Sequence, residues 1–144
     1  MTGKQVVYSR QEYIEFLLDH YQNPRNRHAM SDADVVRPGG NPGCGDVITL
    51  YLKVDPVTER VTDISFEGEG CTISQASTSI LTEMVQGKTL AEIEALSHDD
   101  LLDTLGRDVV MTRPRCALLS LDTLMGATRE YRTQQQQAKL SDEE

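Results

Sequence analysis

Beyond residue 46 the hydrophobic period of this chain switches from two to about three and a half, and that switch limits its fold more than any other feature. From Val47 to Val54 the pattern alternates, with Ile48, Leu50, Leu52 and Val54 on one face and Thr49, Tyr51 and Lys53 on the other. That is the signature of a half-buried strand. Asp55-Pro56-Val57-Thr58-Glu59-Arg60 reads as a turn, and Val61 to Phe66 as a second strand with Ile64 and Phe66 on one face. A hairpin follows. Beyond Cys71 the spacing becomes helical, with Ile73, Ala76, Ile80 and Met84 on one side and Gly87 as the stop. Strands first and helices afterwards predict an α+β fold: a small antiparallel β-sheet of about three strands, packed on one face by helices.

The flanking segments fit this plan. Ser9-Arg10-Gln11-Glu12 reads as a capping box with Tyr8 as a hydrophobic staple, and Tyr13, Phe16, Leu17 and Tyr21 form a helical stripe that Pro24 ends. The polar, Gly- and Pro-rich stretch from there to Asn41 is expected to be mainly loop. Thr89-Leu90-Ala91-Glu92 is a second capping box, opening a short helix to about Leu96. Ser97 opens another that Gly106 ends, and a last helix is expected from Ala117 with Leu118, Leu121, Leu124 and Met125. With 144 residues the chain holds one domain, residues 1–133, followed by a polar tail, 134–144, that is expected to be disordered.

Three cysteines cannot all pair with one another, so a disulfide framework explains them poorly. The N-terminus lacks the apolar core of a signal peptide, and no run approaches the roughly 20 apolar residues of a membrane span. A cytoplasmic protein with reduced thiols is expected. The formal net charge of −9 argues against nucleic acid as a partner.

Each cysteine sits in a loop where an element begins: Asn41-Pro42-Gly43-Cys44-Gly45-Asp46, Gly68-Glu69-Gly70-Cys71-Thr72 and Arg113-Pro114-Arg115-Cys116-Ala117. Asp46 adds a carboxylate two residues beyond Cys44, where both side chains of an extended loop can point the same way. Three soft thiolates and one hard oxygen make a four-coordinate set for zinc or an iron–sulfur cluster. Cys71 and Cys116 open helices, where the N-terminal end of the dipole favours anionic sulfur, and Arg113 and Arg115 add charge beside Cys116. Buried core cysteines are the bland alternative, but none of the three falls on an apolar stripe. Thr72, Ser74, Ser77, Thr78 and Ser79 are polar for the start of a core helix, and either bond sulfur or cap the helix and face solvent. His20 and His98 read as solvated or capping histidines, and Glu67 and Glu69 as surface residues.

The words around the first two cysteines, with His20-Tyr21-Gln22-Asn23-Pro24-Arg25-Asn26 upstream and Cys116 downstream, resemble the IscU/SufU family, which also forms the N-terminal domain of NifU. The resemblance covers nearly the whole chain. It implies the SufE/NifU-like fold, with Cys44, Asp46, Cys71 and Cys116 as ligands of zinc or a transient [2Fe-2S] cluster. It also implies a cysteine desulfurase as sulfur donor, and cluster-accepting apo-proteins or a downstream SUF scaffold as recipients. Neither nucleic acid nor a membrane is among the implied partners. IscU-type members carry His immediately before the third cysteine; here Arg115 stands there, and arginine cannot coordinate a metal. The Leu-Pro-Pro-Val-Lys stretch of that type is replaced by Val109-Val110-Met111-Thr112-Arg113-Pro114. Arg115 leans towards the SufU type, whereas the interval from Cys71 to Cys116, 116 − 71 = 45 residues, is that of the IscU type. Two activities follow from the resemblance. One is a scaffold on which persulfide sulfur joins iron; the other is a zinc-dependent sulfurtransferase in which Cys116 leaves the metal to attack the persulfide.

Overall fold

The computed structural model describes residues 9–41 and 45–142. Three strands, β1 (Val35–Asn41), β2 (Asp46–Val54) and β3 (Val61–Glu69), form an antiparallel sheet in the order β1-β2-β3. The alternation of β2 is realised as predicted. Ile48, Leu50, Leu52 and Val54 are buried, while Val47 is exposed on the opposite face. Leu50 pairs with Phe66 of β3 and Leu52 with Ile64, so the apolar faces of the two strands coincide.

The stretch before Asn41 is not mainly loop: β1 occupies its last seven residues. Val35-Val36-Arg37-Pro38-Gly39-Gly40-Asn41 has no apolar alternation to announce a strand. Packing against the last helix, α6 (Pro114–Asp142), creates it. Gly39 lies so close to Thr123 that any Cβ would overlap the Thr123 side chain. Gly126 leaves room for the Arg37 guanidinium, which pairs with Glu130 at 3.2 Å. Pro38 is tolerated because β1 lies at the end of the sheet order.

Helix α1 (Arg10–Gln22) opens on the Ser9–Glu12 capping box and ends at Asn23; Tyr8, the expected staple, lies outside the described residues. Helix α2 (Thr72–Val85) packs against α1, α6 and β3. It is buried nearly all round rather than on the single predicted stripe. Ser74, Ser77, Thr78, Ser79 and Thr82 are all buried, which removes the solvated-face reading. Buried hydroxyls need partners, and these have them. The Ser77 hydroxyl donates to the Ala117 carbonyl at 2.7 Å, and that of Ser79 accepts from the Arg25 amide at 2.9 Å and meets His20 Nδ1 at 2.8 Å. His20 is therefore a buried histidine joining α1 to α2, not a solvated one. Next to it, Asn26 adopts a left-handed φ of 59° and donates to the Thr82 hydroxyl, so the Asn23–Asn26 turn is pinned onto α2.

Helix α3 (Leu90–Glu94) begins on the expected capping box, and α4 (His98–Leu105), opened by Ser97 as expected, begins on one as well. Gly106, at φ 93°, ends α4 against the Tyr13 ring, and a one-turn helix not anticipated from the sequence, α5 (Arg107–Val110), leads on to α6. Helix α6 starts at Pro114, three residues ahead of the prediction, because proline suits the first helical position. It continues through Asp142, so residues 134–142 of the tail expected to be disordered are helical. Gln, Ala, Lys and Leu are good helix formers, and neither Gly nor Pro follows Gly126. No helix among the described residues is long and apolar enough to cross a membrane.

Candidate metal centre

Asp46 is the first residue of β2, Cys71 is the N-cap of α2, and Cys116 lies in the first turn of α6. Three elements that begin far apart in sequence thus begin side by side. One ligand atom from each residue, a carboxylate oxygen and two sulfurs, lies within 4.8 Å of the other two. Asp46 and Cys116 are each 1% exposed, whereas Cys71 is half-buried. Cys44, the fourth expected ligand, lies outside the described residues.

The local chain geometry holds this group in register. The Cys71 amide donates to Asp46 Oδ1 at 2.8 Å, and the Cys71 thiol faces Asp46 Oδ2 at 3.8 Å. Cys71 caps α2 through its sulfur, which accepts from the Ser74 amide at 3.4 Å. Gly70, at φ 151°, passes directly over Asp46, and a Cβ there would collide with the carboxylate and the Ser74 hydroxyl. Burial works to raise the Asp46 pKa. Hydrogen bonds from the Cys116 thiol, the Cys71 amide, the Ser74 hydroxyl and the Cys71 thiol outweigh it and hold the group below its ordinary value of 3.8. Asp46 is therefore a carboxylate at neutral pH although it is buried.

Two thiols, neither in a disulfide, and a carboxylate meet where two helices present their N-termini, which suits anionic ligands of a cation. The thiols that now lie towards Asp46 must lose their protons to bind a metal. Arg113 and Arg115 are exposed beside this group, and Glu67 and Glu69 are on the surface as expected. His98 is exposed and meets Asp122 at 2.8 Å. Two further residues of the centre carry no signal of their own in the sequence: Gly70 reads there as a flank of Cys71, and Gln75, which is buried, as one more residue of the helix.

An α+β domain that gathers thiols and a carboxylate at the rim of its sheet can hold a soft metal or a small cluster. The model of the NifU-like N-terminal domain matches residues 12–138, and the chain belongs to that family of iron–sulfur cluster assembly scaffolds. It is 39% identical over 119 residues to iron-sulfur cluster assembly scaffold protein IscU 1 of Archaeoglobus fulgidus, covering 83% of this chain and 76% of that one. It is 36% identical over 129 residues to zinc-dependent sulfurtransferase SufU of Bacillus subtilis, covering 78% and 86% respectively. The fold matches that of the N-terminal part of a nitrogen-fixing NifU-like protein from Brucella abortus, with a TM-score of 0.72 over 87% of this chain and 99% of that one, at 23% identity. Both subgroups whose features the sequence mixes are thus represented among its relatives.

Proposed function

We propose that this protein receives persulfide sulfur from a cysteine desulfurase and assembles it with iron on Cys44, Asp46, Cys71 and Cys116, before passing the cluster to an apo-protein. The observation that supports this reading is the convergence of Asp46, Cys71 and Cys116 at one rim of the sheet. The nascent [2Fe-2S] cluster is cargo rather than a resident group. A single carboxylate among thiolates suits cargo, because a hard ligand holds a soft cluster less firmly than a fourth thiolate would.

Sulfur acceptance is assigned to Cys116. Its thiolate attacks the terminal sulfur of the donor persulfide, the donor S–S bond breaks, and the desulfurase cysteine leaves as a thiolate while Cys116 keeps the sulfur as a persulfide. Since Cys116 is buried, this attack requires the first turn of α6 to move aside. The charges of Arg113 and Arg115 flank that turn and favour the approach of an anionic persulfide.

Arg115 also favours a second reading. With arginine unable to ligate, the four residues make a closed tetrahedral zinc site, and the protein accepts sulfur as a zinc-dependent transferase without building the cluster itself. One experiment separates the two. The zinc-loaded protein is mixed with its desulfurase and cysteine in the absence of iron. A persulfide mapped to Cys116, lost in Cys116→Ser but retained in Cys71→Ser, with no cluster formed once iron is added, supports the transferase. The same persulfide, with a cluster that forms once iron is added and then moves to an apo-ferredoxin, supports the scaffold. No persulfide on Cys116 and no cluster after iron is added would sink both readings.

A further inference from the structure

Gln75 lies one residue beyond Ser74 in the second turn of α2, beneath the candidate centre, and is 8% exposed. Its Nε2 donates to the Ser74 hydroxyl at 3.2 Å. Its Oε1 has no hydrogen-bond partner among the described residues and is packed against Gly68 of β3. A buried amide oxygen without a donor is an expense to the fold that an apolar side chain of the same volume would avoid. Folding alone therefore gives no reason for glutamine here. The reason must lie in what its other end does.

That other end reaches the centre through Ser74. The Ser74 amide donates to Cys71 Sγ at 3.4 Å, and its hydroxyl has one proton and two acceptors within reach, the Cys71 carbonyl at 3.1 Å and the Asp46 carboxylate. By donating to the hydroxyl oxygen, Gln75 forces the Ser74 proton outward, towards Cys71 and Asp46. Without that donation the hydroxyl is free to turn its proton away, as Thr78 does towards the Ser74 carbonyl. We infer that Gln75 is a positioning residue for the metal centre, acting through Ser74 to hold Asp46 and the Cys71 turn in ligating geometry. This rests on the metal-holding role proposed above. Partners of this kind fix the orientation of metal ligands, and their loss weakens metal binding.

The probe is cobalt(II), whose thiolate charge-transfer and ligand-field bands report coordination directly. The parent protein, Gln75→Met, Ser74→Ala and the double variant are loaded with cobalt, and its release to a chelator is timed. Gln75→Met should release cobalt about tenfold faster than the parent, with altered ligand-field bands. In the Ser74→Ala background it should add nothing further. The metal-free Gln75→Met protein should melt at or above the parental temperature, because the unpartnered oxygen is gone. Parental spectra and release rate in Gln75→Met would overturn the inference. So would equal acceleration in both backgrounds, which would mean that Gln75 acts by packing and not through Ser74. If the parent itself showed no thiolate–cobalt bands, the metal-holding role would fall first and the inference with it.

Discussion

Asp46 and Gly70 together show how single residues set the chemistry of the centre. Asp46 is buried yet ionised because four donors converge on it. As the one oxygen among sulfurs, it should govern release more than capture. Asp46→Ala is expected to accept a reconstituted cluster but to pass it to an apo-ferredoxin several-fold more slowly; equal transfer rates would contradict this. Gly70 is needed for a different reason. Its positive φ and its contact with the carboxylate leave no space for a Cβ. Gly70→Ala should cost roughly 1 to 3 kcal/mol of stability, as steric changes at constrained backbone positions do. It should also lower the zinc content of the folded protein, read as metal per mole after gel filtration. Full zinc occupancy would show that the Asp46–Cys71 geometry tolerates the shift.

At the scale of elements, α2 is the axis of the molecule, and its contact with α1 carries a pH dependence. His20 sits in that contact, bonded to Ser79 and edge-on to Phe16 at 5.0 Å. Burial first, and then the charge of Arg25, push its pKa below the ordinary 6.5, against the opposing pull of Glu83 and Asp19. With the folded value below the unfolded one, the unfolded chain takes up more protons as the pH falls past 6.5, so this histidine lowers stability on acidification. The loss sets in near the unfolded value and stops growing once the folded protein is protonated too. His20→Gln should therefore flatten the decline in melting temperature between about pH 7 and pH 5. An unchanged slope would assign that decline to other groups. The helix ends could be read from local chemistry, since the boxes at Ser9, Thr89 and Ser97 each need only a short stretch of chain. The polar run of α2 could not, because a serine on a solvated face and a serine bonded across a helix pair look the same in sequence.

Over the whole molecule, the last helix outlasts the core it belongs to. Tyr131 is the last buried side chain among the described residues, and α6 continues to Asp142 with Leu140 63% exposed. A helix with no buried face adds little to stability. Truncation after Thr133 is expected to shift the melting temperature by no more than a degree or two, on the order of 0.5 kcal/mol in a domain of this size, and to leave zinc content unchanged. A larger drop in either would show that the tail docks on the domain. The hairpin of β2 and β3, the capped helices and the residue types suited to a metal centre were all legible in the chain, because alternation, capping and thiol chemistry are local properties. The strand β1, the burial of His20, and the roles of Gly70 and Gln75 were not. Each depends on what another element places opposite: Thr123 against Gly39, Ser79 against His20, Asp46 against Gly70 and Gly68 against Gln75. The amino-acid sequence determined which side chains could bind a metal. Only the tertiary structure, by starting β2, α2 and α6 at one rim of the sheet, decided that Asp46, Cys71 and Cys116 would meet, because convergence is a property of packing and not of spacing.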